Sequence, residues 1–307
     1  MEIYLGTKLD QKFINRYLKE IRTKKPDPLQ RIETSSPLSM LVGRSGTEKI
    51  NSILFKRIVN DAEEQLKRVD ARFDLIDPKR YYICENNDPG DIGGFHGQRK
   101  GGYLYIHNIG ISNLLRRAEI HNYDIITLEL AKNYIHDSIH ASTFRSIRTM
   151  PVANFTEYKV YREQYGINFR KPDGTSFSSV EATKKSPLSI NLNLLMDGVA
   201  DHFAEKAVKE QSSSINIVGT TDLESTILNQ LFGLGFEERI YPHPIRFLSE
   251  VIRPTKLFID YWDTNQTLFE LILRAMFSGD ISGVKQFFAG KLNNKDAWDI
   301  IFRRPNF

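Results

Sequence analysis

The stretch from Asp124 to His140 constrains this chain most. Ile125, Leu128, Ala131, Ile135 and Ile139 recur at helical spacing behind Asp124, a residue type that caps a helix start. The same helix carries His136-Asp137-Ser138-Ile139-His140. Two imidazoles four residues apart project from one helix face, a turn from each other. At that spacing both can meet one metal ion, and zinc, bound through imidazole nitrogen at about 2.0–2.1 Å, is the usual occupant. Asp137 follows the first histidine directly, a carboxylate placed to take a proton from a metal-bound water. A catalytic site of this kind needs a third protein ligand and one open position. Asp197 and Asp201, again four apart on a later helix, supply a carboxylate ligand and an acceptor that can fix a histidine tautomer.

Composition narrows the site chemistry. Cys84 is the one cysteine among 307 residues, so neither an internal disulfide nor a multi-cysteine metal cage is possible. By default it packs in a strand as a small apolar residue. The chain is 40% hydrophobic and 26% charged with a net charge of +4, which describes a globular protein rather than a disordered one. Positive charges are interspersed, and the densest run, Lys19 to Lys25, reads as a solvated helix end, so no nucleic-acid partner is expected. No apolar run reaches the roughly 18 residues of a membrane span. The start, Met1-Glu2-Ile3-Tyr4, has neither the basic nor the apolar part of a signal peptide, and a cytoplasmic location is expected. Gly43-Arg44-Ser45-Gly46-Thr47-Glu48-Lys49 lacks the order of a phosphate loop.

Periodicity predicts helices over 8–24 and 46–70, with Leu54, Ile58, Ala62 and Leu66 at spacing four in the second. Short strands are expected at Phe73–Ile76, Tyr81–Cys84 and Tyr103–Ile106, then helices at Ser112–Ile120 and from Asp124 onward. Tyr158–Arg162 and Gly166–Arg170 read as strands, Pro172-Asp173-Gly174 as a turn, and Phe177 and Val180 as a returning strand. Leu192–Val208 is helical, Glu210–Ser214 a linker, and residues 222–307 mostly helical. His96, His121 and His202 have no partner pattern. Glu205, four beyond Asp201, is expected to face solvent.

His136-Asp137-x-x-His140 followed by Asp197-Gly198-x-Ala200-Asp201 resembles the gluzincin metallopeptidases. Their pattern is H-E-x-x-H with a glutamate on a later helix. The resemblance covers roughly residues 73–250 and implies a compact, minigluzincin-like α+β domain, mainly helical, with a small mixed sheet beside the active-site helix. It implies Zn2+ held by His136, His140 and Asp197, with Asp137 as base and Asp201 behind a ligand histidine. The upstream Gly101–Ile106 resembles the strand that pairs with extended substrate there, which would make Gly102, Tyr103, Leu104 and Tyr105 substrate-binding. Gluzincins also place a Tyr or His donor downstream against the developing oxyanion, which points to Tyr241, and next to His243. A protein or peptide would be the substrate. On this division 1–72 is an N-terminal helical region, 73–210 the core, and 211–307 a helical region completing the cleft.

Both glutamates of the pattern are aspartates here, shorter by one C–C bond or about 1.5 Å. That substitution fits either a re-proportioned site or a catalytically inactive scaffold that acts as a binding protein. The sequence also resembles the HD-domain phosphohydrolases through His107, His136-Asp137 and Asp201, which would imply phosphoester hydrolysis at one or two metals. That fold is all helical, and its pattern gives His140 and Asp197 no role.

Overall fold

The computed structural model describes residues 2–6, 35–43, 50–79, 81–84, 95–99, 102–108, 122–151, 158–173, 175–180, 192–212 and 266–302. Strands are β1 (Glu2–Gly6), β2 (Ser35–Pro37), β3 (Tyr81–Cys84), β4 (Phe95–Arg99), β5 (Gly102–Asn108), β6 (Arg145–Pro151), β7 (Tyr158–Tyr165), β8 (Asn168–Arg170) and β9 (Ser176–Phe177). Helices are α1 (Leu38–Gly43), α2 (Ser52–Val69), α3 (Tyr123–Ser142), α4 (Asn193–Ser212), α5 (Gln266–Ser278), α6 (Ser282–Leu292) and α7 (Ala297–Ile301). The fold is α+β and mostly helical, with two mixed sheets. One sheet has the order β1-β6-β7-β8-β9, with β1 parallel to β6. The other has the order β2-β3-β5-β4, with β3 parallel to β5. No described helix is long and apolar enough to cross a membrane.

Helix α3 lies at the centre. Eleven of its residues are buried, from Ile125 to Ser142, on more than one face, as expected of a helix packed on several sides. Its start is capped by Asn122, whose side chain accepts from the Asp124 amide at 3.1 Å. The cap expected at Asp124 is therefore corrected: Asp124 sits in the first turn, where its charge suits the helix dipole. Asn51 caps α2 in the same way and also bonds Asp124 and Thr127, which pins the two helix starts together. A single hydrophobic cluster runs from Leu38 to Trp298 and Phe302, so the core is continuous across the expected boundaries at 72 and 210.

Among the described residues Phe73–Ile76 joins no sheet. The Ile76 amide donates to Ser138 Oγ at 3.2 Å and the Asp74 amide to Ser142 Oγ at 3.0 Å, while Tyr134 OH donates to the Ile76 carbonyl. Side chains of α3 thus satisfy backbone groups that a neighbouring strand would otherwise take. Gly166 and Ile167 form a two-residue turn between β7 and β8, not the start of a strand. Gly166 has φ +52, and a Cβ there would meet Met196 Sδ at 2.6 Å and Thr143 Cγ2 at 2.9 Å. Only glycine provides both the left-handed backbone and the clearance. The 171–175 turn closes as expected, with Lys171 N on the Thr175 carbonyl and Thr175 N on Asp173 Oδ1. Val180 is half exposed beyond β9 and continues no strand, and Glu210 to Ser212 belong to α4 rather than to a linker. The expected helices at 8–24 and 112–120, and the part of 222–307 before Gln266, lie outside the described residues.

Candidate metal site

Helices α3 and α4 run antiparallel, and their i, i+4 rows face each other as polar rungs. His140 Nε2 lies 3.0 Å from Asp197 Oδ1, and His136 Nδ1 lies 3.0 Å from Asp201 Oδ1. Lys132 Nζ lies 3.2 Å from Glu205 Oε1 and 3.7 Å from Asp201 Oδ1. Apolar residues flank both rows: Ile135 and Ile139 on one helix, Leu195, Met196, Val199 and Phe203 on the other, all buried. Burial of those residues brings the polar rows together. Glu205 is 4% exposed and paired, which corrects its expected solvated position: the third rung turns it toward Lys132.

Ligand atoms of His136, His140 and Asp197 all lie within 4.8 Å of one another, so this group could hold a metal ion. Tetrahedral bonds of about 2.0–2.1 Å set ligand atoms roughly 3.3 Å apart, so binding requires a small closure. The donor set, two imidazoles and a carboxylate, suits zinc and other borderline divalent ions. His140 Nε2 supports the fit most directly. It is buried and, among the described residues, has no hydrogen bond of ordinary geometry, although Asp197 Oδ1 is close. The other ring nitrogen, Nδ1, lies 3.1 Å from the Tyr165 hydroxyl. The Asp201 contact likewise occupies His136 Nδ1 and leaves Nε2 as the ligating atom. Each histidine is thus oriented through its far nitrogen, as metal-binding histidines usually are. The Asp197 side chain is 46% exposed, so the ligand set opens toward solvent.

Charge is unevenly spread over the rungs. Burial alone would lower the His140 pKa, but Asp197, with Asp137 and Asp201 behind it, raises it above the ordinary histidine value. Burial would raise Asp201, yet His136 and then Lys132 outweigh it and pull the carboxyl down to about 2. Lys132 is kept charged by Asp201 and Glu205 against its own desolvation.

Asp137 does not belong to the ligand group. Its Oδ2 accepts from the Tyr81 hydroxyl at 2.7 Å, and Tyr81 is fully buried at the start of β3. Burial, and then the Asp137 charge, push the Tyr81 pKa well above that of a free phenol, so it remains a donor. At the other end of the site Arg145 donates to the His140, Ala141 and Thr143 carbonyls at 2.8–3.2 Å and caps α3.

The strand expected to receive substrate lies in the second sheet. Tyr105 and Ile106 of β5 pair with Tyr81 and Tyr82 on one side and with His96 and Phe95 on the other. Gly102, Tyr103 and Leu104 pair with Arg99, Gln98 and Gly97. Among the described residues β5 is thus paired on both sides at Tyr105 and Ile106 but with β4 alone over Gly102–Leu104, and the outer strands of this sheet are β2 and β4. His107 has its backbone in β5. Tyr241 and His243 lie outside the described residues. His202 packs on Phe269, ring centroids 3.9 Å apart. Sequence reasoning missed Tyr81, Lys132, Tyr165 and Arg145. Lys132 was accessible, because it continues the spacing-four row of His136 and His140 by one turn. The others come from distant segments and left no local signal. Comparison with protein-family models, curated proteins and solved structures gave no match for this chain.

Proposed function

We propose that this chain is a zinc-dependent hydrolase of the gluzincin kind that cleaves peptide bonds with an activated water. The observation carrying the reading is the convergence of His136, His140 and Asp197, with His140 Nε2 buried 3.0 Å from the Asp197 carboxylate. Zinc in such a site supplies Lewis acidity toward a water and the scissile carbonyl. Asp201 holds His136, and Tyr165 holds His140, in the tautomer that leaves Nε2 for the metal. Asp137 takes the proton of the water, and Tyr81 fixes the direction of its carboxylate. That anchor gives the short side chain one defined reach, which matters because a general base works only within about 2.6–3.2 Å. Tyr241, or next His243, donates to the developing oxyanion, and the side of β5 over Gly102–Leu104 that β3 does not pair is the place for an extended peptide.

Metal analysis of the purified chain tests this reading. One zinc per chain is expected, lost in His136→Ala and His140→Ala. No zinc in the parent protein, or the same content in both variants, rules it out. Phosphoester hydrolysis through His107, His136, Asp137 and Asp201 has weaker support, since Asp201 and Asp137 already accept from His136 and Tyr81. Loss of metal in His107→Ala with retention in His140→Ala would reverse the ranking. An inactive scaffold is separated by activity: zinc bound but no cleavage of any peptide pool would favour it.

A further inference from the structure

Beside the ligand set lies a pair of arginines that no carboxylate among the described residues neutralises. Arg162 on β7 and Arg170 on β8 are both half-buried, and neither has a carboxylate within ion-pair distance among the described residues. The Arg162 guanidinium sits 5.0 Å from the centre of the Tyr165 ring, the same tyrosine that meets His140 Nδ1. Arg170 reaches Asn193 Oδ1 at a long 3.5 Å, and its Nε is buried with no hydrogen-bond partner among the described residues. The adjacent acid, Glu163, is engaged by Arg148 at 2.5 Å. By contrast Arg72 pairs with Asp70 at 2.6 Å, while Arg145, 5.2 Å from the same Tyr165 ring, donates to three carbonyls. Burial, and then Arg162, lower the pKa of Arg170, so the pair is held at a cost. An anion between the two guanidiniums removes that cost, and arginine matches a carboxylate with two parallel hydrogen bonds.

We infer that Arg162 and Arg170 form an anion pocket that holds the C-terminal carboxylate of a peptide, which makes the proposed hydrolase a carboxypeptidase. The inference rests on the zinc-hydrolase reading. Asn193, the contact of Arg170, is four residues before Asp197 in α4, about 6 Å along the helix axis. One extended residue spans about 3.5 Å, and a hydrogen bond adds about 3 Å. A carboxylate one residue beyond a carbonyl at the ligand set therefore falls within reach of an arginine at that distance. An internal stretch of polypeptide would leave both cations without a partner, so the pocket selects for chain ends.

Calorimetric titration of the zinc-loaded full-length protein with N-(mercaptoacetyl)leucine and with its carboxamide tests the inference. The two compounds share a zinc-binding thiolate and differ only in the carboxylate. The acid is expected to bind at least tenfold more tightly, and Arg162→Gln combined with Arg170→Gln should abolish the difference. Equal affinities in the parent protein overturn the inference without any variant, as does a preference that survives both substitutions. Displacement of the acid by inorganic phosphate at lower concentration than by acetate would reassign the pocket to a phosphoryl group and overturn it too. If zinc is bound and neither compound binds, the inference fails and the zinc reading stands. If the protein holds no zinc, the reading beneath it fails.

Discussion

His140 answers two demands with one ring. Its Nδ1 is tied to Tyr165, and its Nε2 faces Asp197, whose charge raises the proton affinity of the ring above the ordinary value. A metal entering at Nε2 must displace that proton. Zinc affinity should therefore decline with falling pH from a higher starting point than an unperturbed histidine, near 6.5, would give. Affinity measured by chelator competition from pH 8 to pH 5 checks this, and a flat profile down to pH 6 would contradict it. Asp201 makes the complementary prediction for the metal-free protein. Its folded pKa, about 2, lies below the unfolded value near 3.9. Its stabilisation, about 2 kcal/mol, is thus present above pH 4 and lost as pH falls toward 2. Asp201→Asn should flatten that acid limb in denaturant titrations, and should also weaken zinc binding about 10–100-fold by removing the charge behind His136.

At the scale of elements, the Phe73–Ile76 segment shows what a sequence pattern can and cannot say. Its apolar content fits a strand whether the partner is a strand or a helix, and only the tertiary arrangement assigns it to Ser138 and Ser142 of α3. Ser138→Ala would leave the Ile76 amide buried without an acceptor, at a cost of about 1–3 kcal/mol. Chemical denaturation should show that loss, whereas a change under 0.5 kcal/mol would mean that water takes over the bond. The β7–β8 turn is tighter still. Gly166→Ala imposes a left-handed backbone on alanine and drives a methyl into Met196 and Thr143, so a destabilisation of about 2 kcal/mol or more is expected in the same assay. Periodicity made α2, α3 and α4 legible because each has an apolar row of its own. The interior place of β5 was not legible, since the partners that fill its two sides, β3 and β4, approach with registers that no local residue encodes. Glu205 was misread for a related reason: its spacing from Asp201 was visible, but Lys132 on another helix was needed to decide which way it faces.

In the whole molecule the candidate site is a joint between parts that pack as one. Helices α2, α3 and α4 and the C-terminal α5–α7 contribute to one apolar cluster, and β1 at the start of the chain pairs in register with β6, which follows α3 directly. The ligand group was readable from the sequence because each half lies within a single helix, at spacing four. That the halves meet was an expectation that only long-range packing could meet, and the rungs His140–Asp197, His136–Asp201 and Lys132–Glu205 are its geometric form. Because the two halves come from helices about 60 residues apart in sequence, a metal clamped between them binds the folded chain and not the unfolded one. By mass action, free zinc at a thousand times Kd should stabilise the protein by about 4 kcal/mol. In a chain of this size that corresponds to a rise of several degrees in Tm. Differential scanning calorimetry with and without zinc should show the rise, and a chelator should reverse it. The shift should vanish in His136→Ala, which removes a ligand, and persist in Lys132→Gln, which breaks a neighbouring rung while all three ligands remain. A Tm that is insensitive to zinc, or a shift that survives in His136→Ala, would mean that the rungs only join the two helices.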